Sequence, residues 1–226
     1  MGLFKRFIGQ TRKPEGFFGK LMLNAMNQGH AALSDWGLSH IEGLSPLVIA
    51  ELGCGGGRNV RELLRRYPMA KVYAIDYSAL AVCRTRAYNK PDIVKGRCRV
   101  LKASVQSLPL AASRFDLATA FETVYFWPDL AECFAEVYRI LKCGGSFLIC
   151  NESDGTDAEG LRYERIIDGM HCYTAEELET LLRTAGFSKV QVFRHETKPW
   201  LTVLAKKAAP CACFLHSALS ARVWVS

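Results

Sequence analysis

The sequence predicts an α/β protein whose core is a parallel, doubly wound sheet with helices on both faces. From residue 47 onward, short apolar runs of strand length alternate with segments of helical periodicity. Such alternation is typical of βαβ units, in which each crossover helix packs on the sheet. The last two apolar runs are joined by a short turn without a helix, so the final strand is expected to run antiparallel to the others.

The elements of this α/β unit can be assigned in order along the chain. Strands are expected at 47–50, 71–76, 99–103, 115–122, 146–150, 189–194 and 201–205. Helices are expected at 58–67, 78–89, 129–141 and 174–185.

Capping and stop signals define the helix boundaries. Ser78 is a favourable N-cap, and Pro91 is expected to end the helix that follows it. Thr174 and Glu177 have the spacing of a capping box. The paired glycines at 144–145 are expected to end the helix that begins near residue 129.

Composition indicates one packed domain with an extra segment at each end. Half of the 226 residues are apolar and 23% are charged, which is typical of a chain with a core. We expect an N-terminal helical segment at 1–46, an α/β domain at 47–207 and a tail of unknown role at 208–226. The N-terminal segment is a candidate lid, and the alternative is that Met22, Met26 and Trp36 are only packing residues.

No apolar run reaches the length of a membrane-spanning helix, and residues 1–20 lack the pattern of a signal peptide. We therefore expect a cytoplasmic protein whose nine cysteines are reduced thiols. The net charge is +7, and basic residues are concentrated between 58 and 102. This basic half could face nucleic acid, a membrane surface or an anionic substrate, although solvated helix faces are the simpler explanation.

The strongest functional signal is the segment Glu-Leu-Gly-Cys-Gly-Gly-Gly at 51–57, between the first strand and its helix. Gly53, Gly55 and Gly57 allow the backbone to turn tightly and to approach a ligand closely. A dinucleotide-binding loop needs a further glycine where this sequence has Arg58. Glu51 would repel a pyrophosphate but suits a ligand with an ammonium group. An ordinary glycine-rich turn is the alternative.

The second signal is Asp76, which ends the second strand some twenty residues after the glycine loop. An acid in this position is placed to accept hydrogen bonds from both hydroxyls of a ribose. Tyr77 beside it can lie on the face of a purine. Taken alone, Asp76 could equally cap the helix that follows Ser78.

Together with Phe-Glu-Thr at 121–123 and Leu-Lys-Cys-Gly-Gly at 141–145, these motifs resemble those of the class I S-adenosylmethionine-dependent methyltransferases. The resemblance covers residues 47–206 and is closest to the small-molecule group typified by enzymes of ubiquinone and menaquinone biosynthesis. It implies a Rossmann-like sheet of seven strands, with the seventh between the fifth and the sixth. It also implies S-adenosyl-L-methionine as the cofactor and an N-terminal helical lid.

The resemblance assigns roles to the residues of the glycine segment. Glu51 and Gly53 are expected to contact the methionine end of the cofactor. Gly55 and Gly57 are expected to shape the loop.

Further roles follow the later strands. Asp76 is expected to hold the ribose, Tyr77 to pack near the adenine, and Phe121 to approach the methionine amine through its carbonyl. The family usually has an acid after the third strand, where this sequence has Ser104. The adenine contact is therefore assigned to the Ser104 hydroxyl and the Val105 N–H.

The predicted function is methyl transfer to a small-molecule acceptor by in-line displacement. Such a transfer needs alignment and exclusion of water, and it needs a base only where the acceptor keeps its proton until late. Tyr125, after the fourth strand, and His171, in the stretch 153–173, are candidate proton acceptors. Each could instead be a wall or a capping residue.

Turnover is expected to need no metal, because the sulfonium supplies its own charge. Cys211 and Cys213 with His216 offer too few ligands, too closely spaced, for a structural zinc site. RNA or protein methylation is an alternative function, suggested by the basic half. A cofactor-binding subunit without turnover is another. The sequence predicts neither the acceptor atom nor the oligomeric state.

Overall fold

The computed structural model describes residues 29–209, which form a seven-stranded sheet with helices on both faces. The strands are β1 Val48–Leu52, β2 Lys71–Asp76, β3 Cys98–Lys102, β4 Phe115–Phe121, β5 Leu141–Asn151, β6 Lys189–Arg194 and β7 Leu201–Lys206. Their order is β3-β2-β1-β4-β5-β7-β6, and β7 runs antiparallel to both of its neighbours. The doubly wound sheet, with its last strand antiparallel and inserted between the fifth and sixth, is confirmed.

Helices cover both faces of the sheet. They are α1 Ala31–Ser39, α2 Arg58–Arg66, α3 Ala79–Tyr88, α4 Lys90–Val94, α5 Leu130–Ile140, α6 Ala158–Ile166 and α7 Ala175–Thr184. Helices α1, α2 and α3 lie on one face, and α5 and α7 lie on the other. The strand order reverses where β1 lies between β2 and β4. In open parallel sheets, the carboxyl ends of the strands at such a reversal form a ligand crevice.

Two predicted boundaries are wrong. The first strand continues to Leu52, so Glu51 lies within β1 rather than in the loop. Helix α5 ends at Ile140, before the paired glycines, and β5 begins at once. Between Leu141 and Ser146 the pairing of β5 with β4 shifts register, and Gly144 has a φ of +78° there. The glycines therefore mark a β-bulge rather than a helix end.

Helix α1 belongs to the predicted N-terminal segment at 1–46, yet it shares a core with the sheet. Leu33 and Leu38 are fully buried in the same cluster as Ile49 of β1. A Cβ at Gly37 would lie 2.6 Å from the Cys150 Sγ, so α1 lies directly on β5. The described part of the candidate lid is thus packed on the sheet.

Trp36 of α1 is a packing residue, since its ring meets those of His40 and Trp200. Met22 and Met26 lie outside the described residues, as does the tail from residue 210, which includes Cys211, Cys213 and His216. The division into 1–46, 47–207 and 208–226 stays a prediction.

Seven cysteines fall within the described residues, and all seven are free thiols. Within residues 29–209, no helix combines the length and the apolar character that crossing a bilayer requires.

Candidate functional site

The loop 53–57, which joins β1 to α2, depends on its glycines. Gly53, Gly55 and Gly57 have φ angles of +81°, +50° and +87°, a region that side chains with a Cβ disfavour. A Cβ at Gly53 would also collide with the side chain of Thr123, and one at Gly57 would lie 2.9 Å from the Cα of Thr85. The loop therefore combines backbone conformations and close contacts that only glycine permits.

Asp76, at the end of β2, holds this loop. Its Oδ2 accepts a hydrogen bond of 2.9 Å from the N–H of Gly55, and its Oδ1 accepts one of 2.8 Å from the N–H of Ser78. Burial raises the pKa of Asp76, while the N–H groups of Ser78 and Gly55 oppose that increase. The acid thus contacts the glycine loop and the start of α3 at once.

The other residues predicted to face the adenine follow the ends of adjacent strands. Tyr77, after β2, is 41% exposed. Ser104 and Val105 follow β3, the first exposed and the second buried. The N–H of Ala103 donates to the carbonyl of Asp76 across 3.1 Å, which ties the two strand ends together.

Glu51 is a buried acid in the centre of the sheet, only 1% exposed. The Thr119 hydroxyl of β4 donates a short hydrogen bond to its Oε2. Burial raises the pKa of Glu51 to about 8, although the Thr119 hydrogen bond acts in the opposite direction. Burial therefore favours the protonated form of Glu51.

An open cleft lies at the carboxyl edge of β1 and β4. It is lined by His30, Ser34, Gly53, Cys54, Gly55, Gly56, Arg58, Asn59, Phe121 and Glu122. Helix α2 begins at Arg58 without a side-chain cap, so its first N–H groups are left for another partner. Of the predicted cofactor residues, Gly53, Gly55 and Phe121 line the cleft directly.

Three titratable side chains converge at the edge of this cleft, and we call them the His30–Glu122–Glu152 cluster. His30 precedes α1, Glu122 follows β4 and Glu152 follows β5. The Nε2 of His30 is 3.4 Å from the Oε2 of Glu152, and the N–H of Glu152 donates to the Oε1 of Glu122. No local spacing in the sequence connects these three positions, so the sequence did not predict that they would meet.

Glu122 has an unusual backbone conformation, and the pKa values of Glu122 and His30 are shifted from their ordinary values. Glu122 has a φ of +57°, a conformation that is uncommon for residues other than glycine. Burial raises the pKa of Glu122 to about 7, and the nearby charge of His30 opposes the increase. Burial lowers the pKa of His30, but its hydrogen bond to Glu152 and the charges of Glu122 and Glu152 together outweigh that effect, so the net shift is upward.

The structure does not favour Tyr125 as a proton acceptor. Its hydroxyl is buried, donates to the Oε1 of Glu122 at 3.1 Å and accepts from the N–H of Ser153 at 2.9 Å. Burial and the neighbouring charge of Glu122 raise the pKa of Tyr125 well above its ordinary value. Tyr125 is therefore better described as a group that orients Glu122.

His171 is also poorly placed for this role. It is exposed, its Nδ1 lies 3.3 Å from the Oε1 of Glu164, and its ring packs edge-on against Tyr173. It is not among the residues that line the cleft. Its position in the sequence suggested that His171 lies next to the methyl acceptor. In the structure, its side chain instead pairs with Glu164 at the surface.

Comparison with known proteins agrees with this geometry. Residues 50–149 match the family described as methyltransferase domain. The chain is 30% identical to a malonyl-[acyl-carrier protein] O-methyltransferase of Geobacter sulfurreducens, over 67% of this chain and 60% of that protein. It is 30% identical to cycloartenol-C-24-methyltransferase 1 of Oryza sativa, over 47% of this chain and 31% of that protein.

A solved structure, an S-adenosylmethionine-dependent methyltransferase from Aquifex aeolicus, has the same fold. The TM-score is 0.68 at 18% identity, over 82% of this chain and 96% of that one. Residues 50–149 therefore match a methyltransferase domain, and the fold is that of a solved S-adenosylmethionine-dependent methyltransferase. It spans 31% and 60% of the lengths of the two relatives named above.

Replacing Gly57 with alanine is expected to destabilise the fold by about 1–3 kcal/mol, because the substitution forces a left-handed backbone on a residue with a Cβ. Gly43→Ala is the matched control. A Cβ there meets nothing within 4 Å and needs no positive φ, so a change within about 0.5 kcal/mol is expected. Urea denaturation measures both. Equal losses in the two variants would contradict the loop geometry.

The buried Glu51 predicts a pH dependence of stability. Its folded pKa of about 8 lies above the ordinary value of 4.5, so the folded protein keeps a proton that the unfolded chain releases. The free energy of unfolding should therefore fall as pH rises between these values, by at most about 1.4 kcal/mol per pH unit for one group.

Glu51→Gln keeps an acceptor for the Thr119 hydroxyl but cannot titrate. The variant should show a shallower decline between pH 5 and pH 8 than the natural protein, measured by denaturant unfolding at each pH. Parallel curves for the two proteins would show that Glu51 titrates normally.

Proposed function

We propose that this protein transfers a methyl group from S-adenosyl-L-methionine to a small-molecule acceptor. The observation that carries the proposal is the loop 53–57, whose three left-handed glycines are tied to Asp76 at the end of the next strand. The methyltransferase-domain match and the fold support the same chemistry. The named relatives take different acceptors, cycloartenol and malonyl-[acyl-carrier protein], so membership of the class does not specify the acceptor.

The residues present suit this cofactor. Gly55 and Gly56 line the cleft without side chains, and the uncapped start of α2 borders it. Asp76 is an acid that could receive the ribose hydroxyls, next to the exposed ring of Tyr77. Ser104 and Val105 lie on the neighbouring strand end, which is where the adenine contact is proposed.

At the methionine end, Gly53 and Phe121 line the cleft and Glu51 lies in the strand just before the loop. An ammonium group near Glu51 would stabilise the ionised carboxylate. Glu51 would therefore lose its proton when such a ligand binds. The proposed contacts of the methionine end are therefore Glu51, Gly53 and the carbonyl of Phe121.

When bound, the cofactor supplies a methyl group that its positive sulfur already activates. In-line transfer then needs alignment and exclusion of water more than acid or base catalysis. Helix α1, packed on β5, contributes Ser34 to the cleft wall, and His30 just before the helix lies beside it, so this segment limits the access of water to the cleft.

The basic half does not favour RNA as the acceptor. Arg58 pairs with Asp35 of α1 at 2.7 Å, Arg66 with Glu62 at 2.7 Å, and Arg97 with Asp92 at 3.3 Å. These three guanidinium groups are engaged in ion pairs, and the pair of Arg58 with Asp35 joins α2 to α1. A cofactor-binding subunit without turnover is the other alternative, and detection of product distinguishes it.

Calorimetry with S-adenosylhomocysteine tests the cofactor assignment. We expect saturable binding of S-adenosylhomocysteine and negligible binding of NAD, since Arg58 replaces the glycine that a dinucleotide loop requires. The methyl-labelled cofactor is then supplied with a panel containing a phenol, an amine, a thiol, a carboxylic acid and a short RNA. Tight NAD binding would overturn the cofactor assignment, and labelling of the RNA alone would overturn the small-molecule acceptor.

Asp76→Asn is expected to weaken S-adenosylhomocysteine binding more than Ser104→Ala does. An ionised acceptor contributes about 1.5–3 kcal/mol to a hydrogen bond, whereas a neutral one contributes about 0.5–1.5 kcal/mol. Asparagine preserves the size of the side chain. Circular dichroism checks that the variant still folds after the contacts of Asp76 with the loop are altered. Equal losses of affinity would mean that the ribose lies elsewhere.

A further inference from the structure

The His30–Glu122–Glu152 cluster brings together one imidazole and two carboxylates from three separate parts of the chain. Each residue offers one ligand atom, and the three atoms lie within 4.8 Å of one another. First-row divalent ions hold nitrogen and oxygen ligands at about 2.0–2.2 Å, so ligands of one ion lie at most about 4.4 Å apart. Small side-chain rotations would bring the three atoms onto one ion.

The cluster has two carboxylates and one imidazole, and this excess of negative charge favours binding of a cation. Two carboxylates share one imidazole, and within residues 29–209 the only ion pair made by either acid is that of Glu152 with His30. Two carboxylates at this distance repel each other unless a positive charge lies between them. A divalent cation would neutralise both acids more fully than a single imidazolium.

The second carboxylate is already oriented for such a role. The Oε1 of Glu122 accepts hydrogen bonds from the Tyr125 hydroxyl and from the N–H of Glu152. Metal-binding carboxylates are commonly held by outer hydrogen bonds of this kind. These hydrogen bonds hold the carboxylate of Glu122 in place at the edge of the cleft.

The position of the cluster suits an ion that meets a substrate. His30 and Glu122 line the cleft with the glycine loop, and the side chain of Glu152 is 53% exposed. Three protein ligands leave coordination positions open on an ion that prefers four to six. Those positions would face the open side of the cleft.

We propose that His30, Glu122 and Glu152 bind a divalent first-row cation, of the Mn²⁺ or Zn²⁺ type, at the edge of the cleft. The mixed set of one imidazole and two carboxylates suits these ions better than Cu⁺ or Ca²⁺. The activated sulfonium needs no such ion, so its role, which rests on the proposed function, is to hold an oxygen atom of the methyl acceptor. This replaces the expectation of metal-free turnover for the acceptor side of the reaction.

The test uses the full chain, treated with a chelator that is then removed, and Mn²⁺ alone as the probe. The electron paramagnetic resonance signal of free Mn²⁺ reports the bound fraction without cofactor or acceptor. We expect one saturable site per chain with a Kd tighter than about 1 mM. Glu152→Gln and His30→Ala are each expected to weaken binding at least about 10-fold, because each removes a direct ligand.

Glu164→Gln is the matched control. Glu164 pairs with the Nδ1 of His171 at 3.3 Å, a contact like that of Glu152 with His30, but without a second carboxylate beside it. Its Mn²⁺ binding should equal that of the natural protein. Thermal unfolding confirms that each variant is folded, and Glu122→Gln, which keeps an acceptor for Tyr125, replaces any variant that is not.

Absence of saturable Mn²⁺ binding to the natural chain would overturn the proposal, as would equal affinity in the natural chain and in folded Glu152→Gln and His30→Ala. In either case the cluster is an ion pair only. Because the measurement omits the cofactor, failure of S-adenosylhomocysteine binding would overturn the proposed function separately.

Discussion

The carboxylate of Asp76 is the constraint on which the cofactor side of the site depends. Five residues with four glycines among them would sample many conformations if nothing held them. Asp76 accepts from the Gly55 N–H and the Ser78 N–H, so a single buried acid connects the glycine loop after β1 to the start of α3. Hydrogen bonds to an ionised acceptor are stronger than neutral ones, which suits this role. The same acid is the one proposed to receive the ribose.

Residues of helix α3 and of its C-terminal end also hold the loop, by donating hydrogen bonds to the carbonyl groups of the loop. The Thr85 hydroxyl donates to the carbonyl of Gly55 at 2.9 Å, and the Asn89 amide donates to that of Gly57 at 3.0 Å. Both donors are fully buried, so water does not compete for these contacts. The loop is thus preorganised by two neighbouring elements, which lowers the entropy that ligand binding must overcome.

Two buried acids and one partly buried acid at the carboxyl ends of the central strands set the electrostatics of the cleft. Glu51, Asp76 and Glu122 each have a pKa that burial raises, to about 8 for Glu51 and about 7 for Glu122. A positively charged ligand beside them would favour their ionised forms and would in turn be stabilised by them. This edge of the sheet therefore favours positively charged groups, such as a sulfonium, an ammonium or a metal ion.

The sequence by itself determined the order of the strands, the helices α2, α3, α5 and α7, the insertion of the seventh strand and the glycine loop with Asp76, whereas α4 and α6 were not predicted. Periodicity, capping residues and short motifs are local features of the sequence, and they indicated the strands, the helices and the glycine loop. The place of the seventh strand followed from the resemblance to a known class. Only the tertiary structure decided which side chains meet at the cleft. It buried the Tyr125 hydroxyl against Glu122, turned His171 toward Glu164, and brought His30 to Glu152 across the sheet. Such contacts join distant elements, and burial, which sets their charge, exists only once those elements pack.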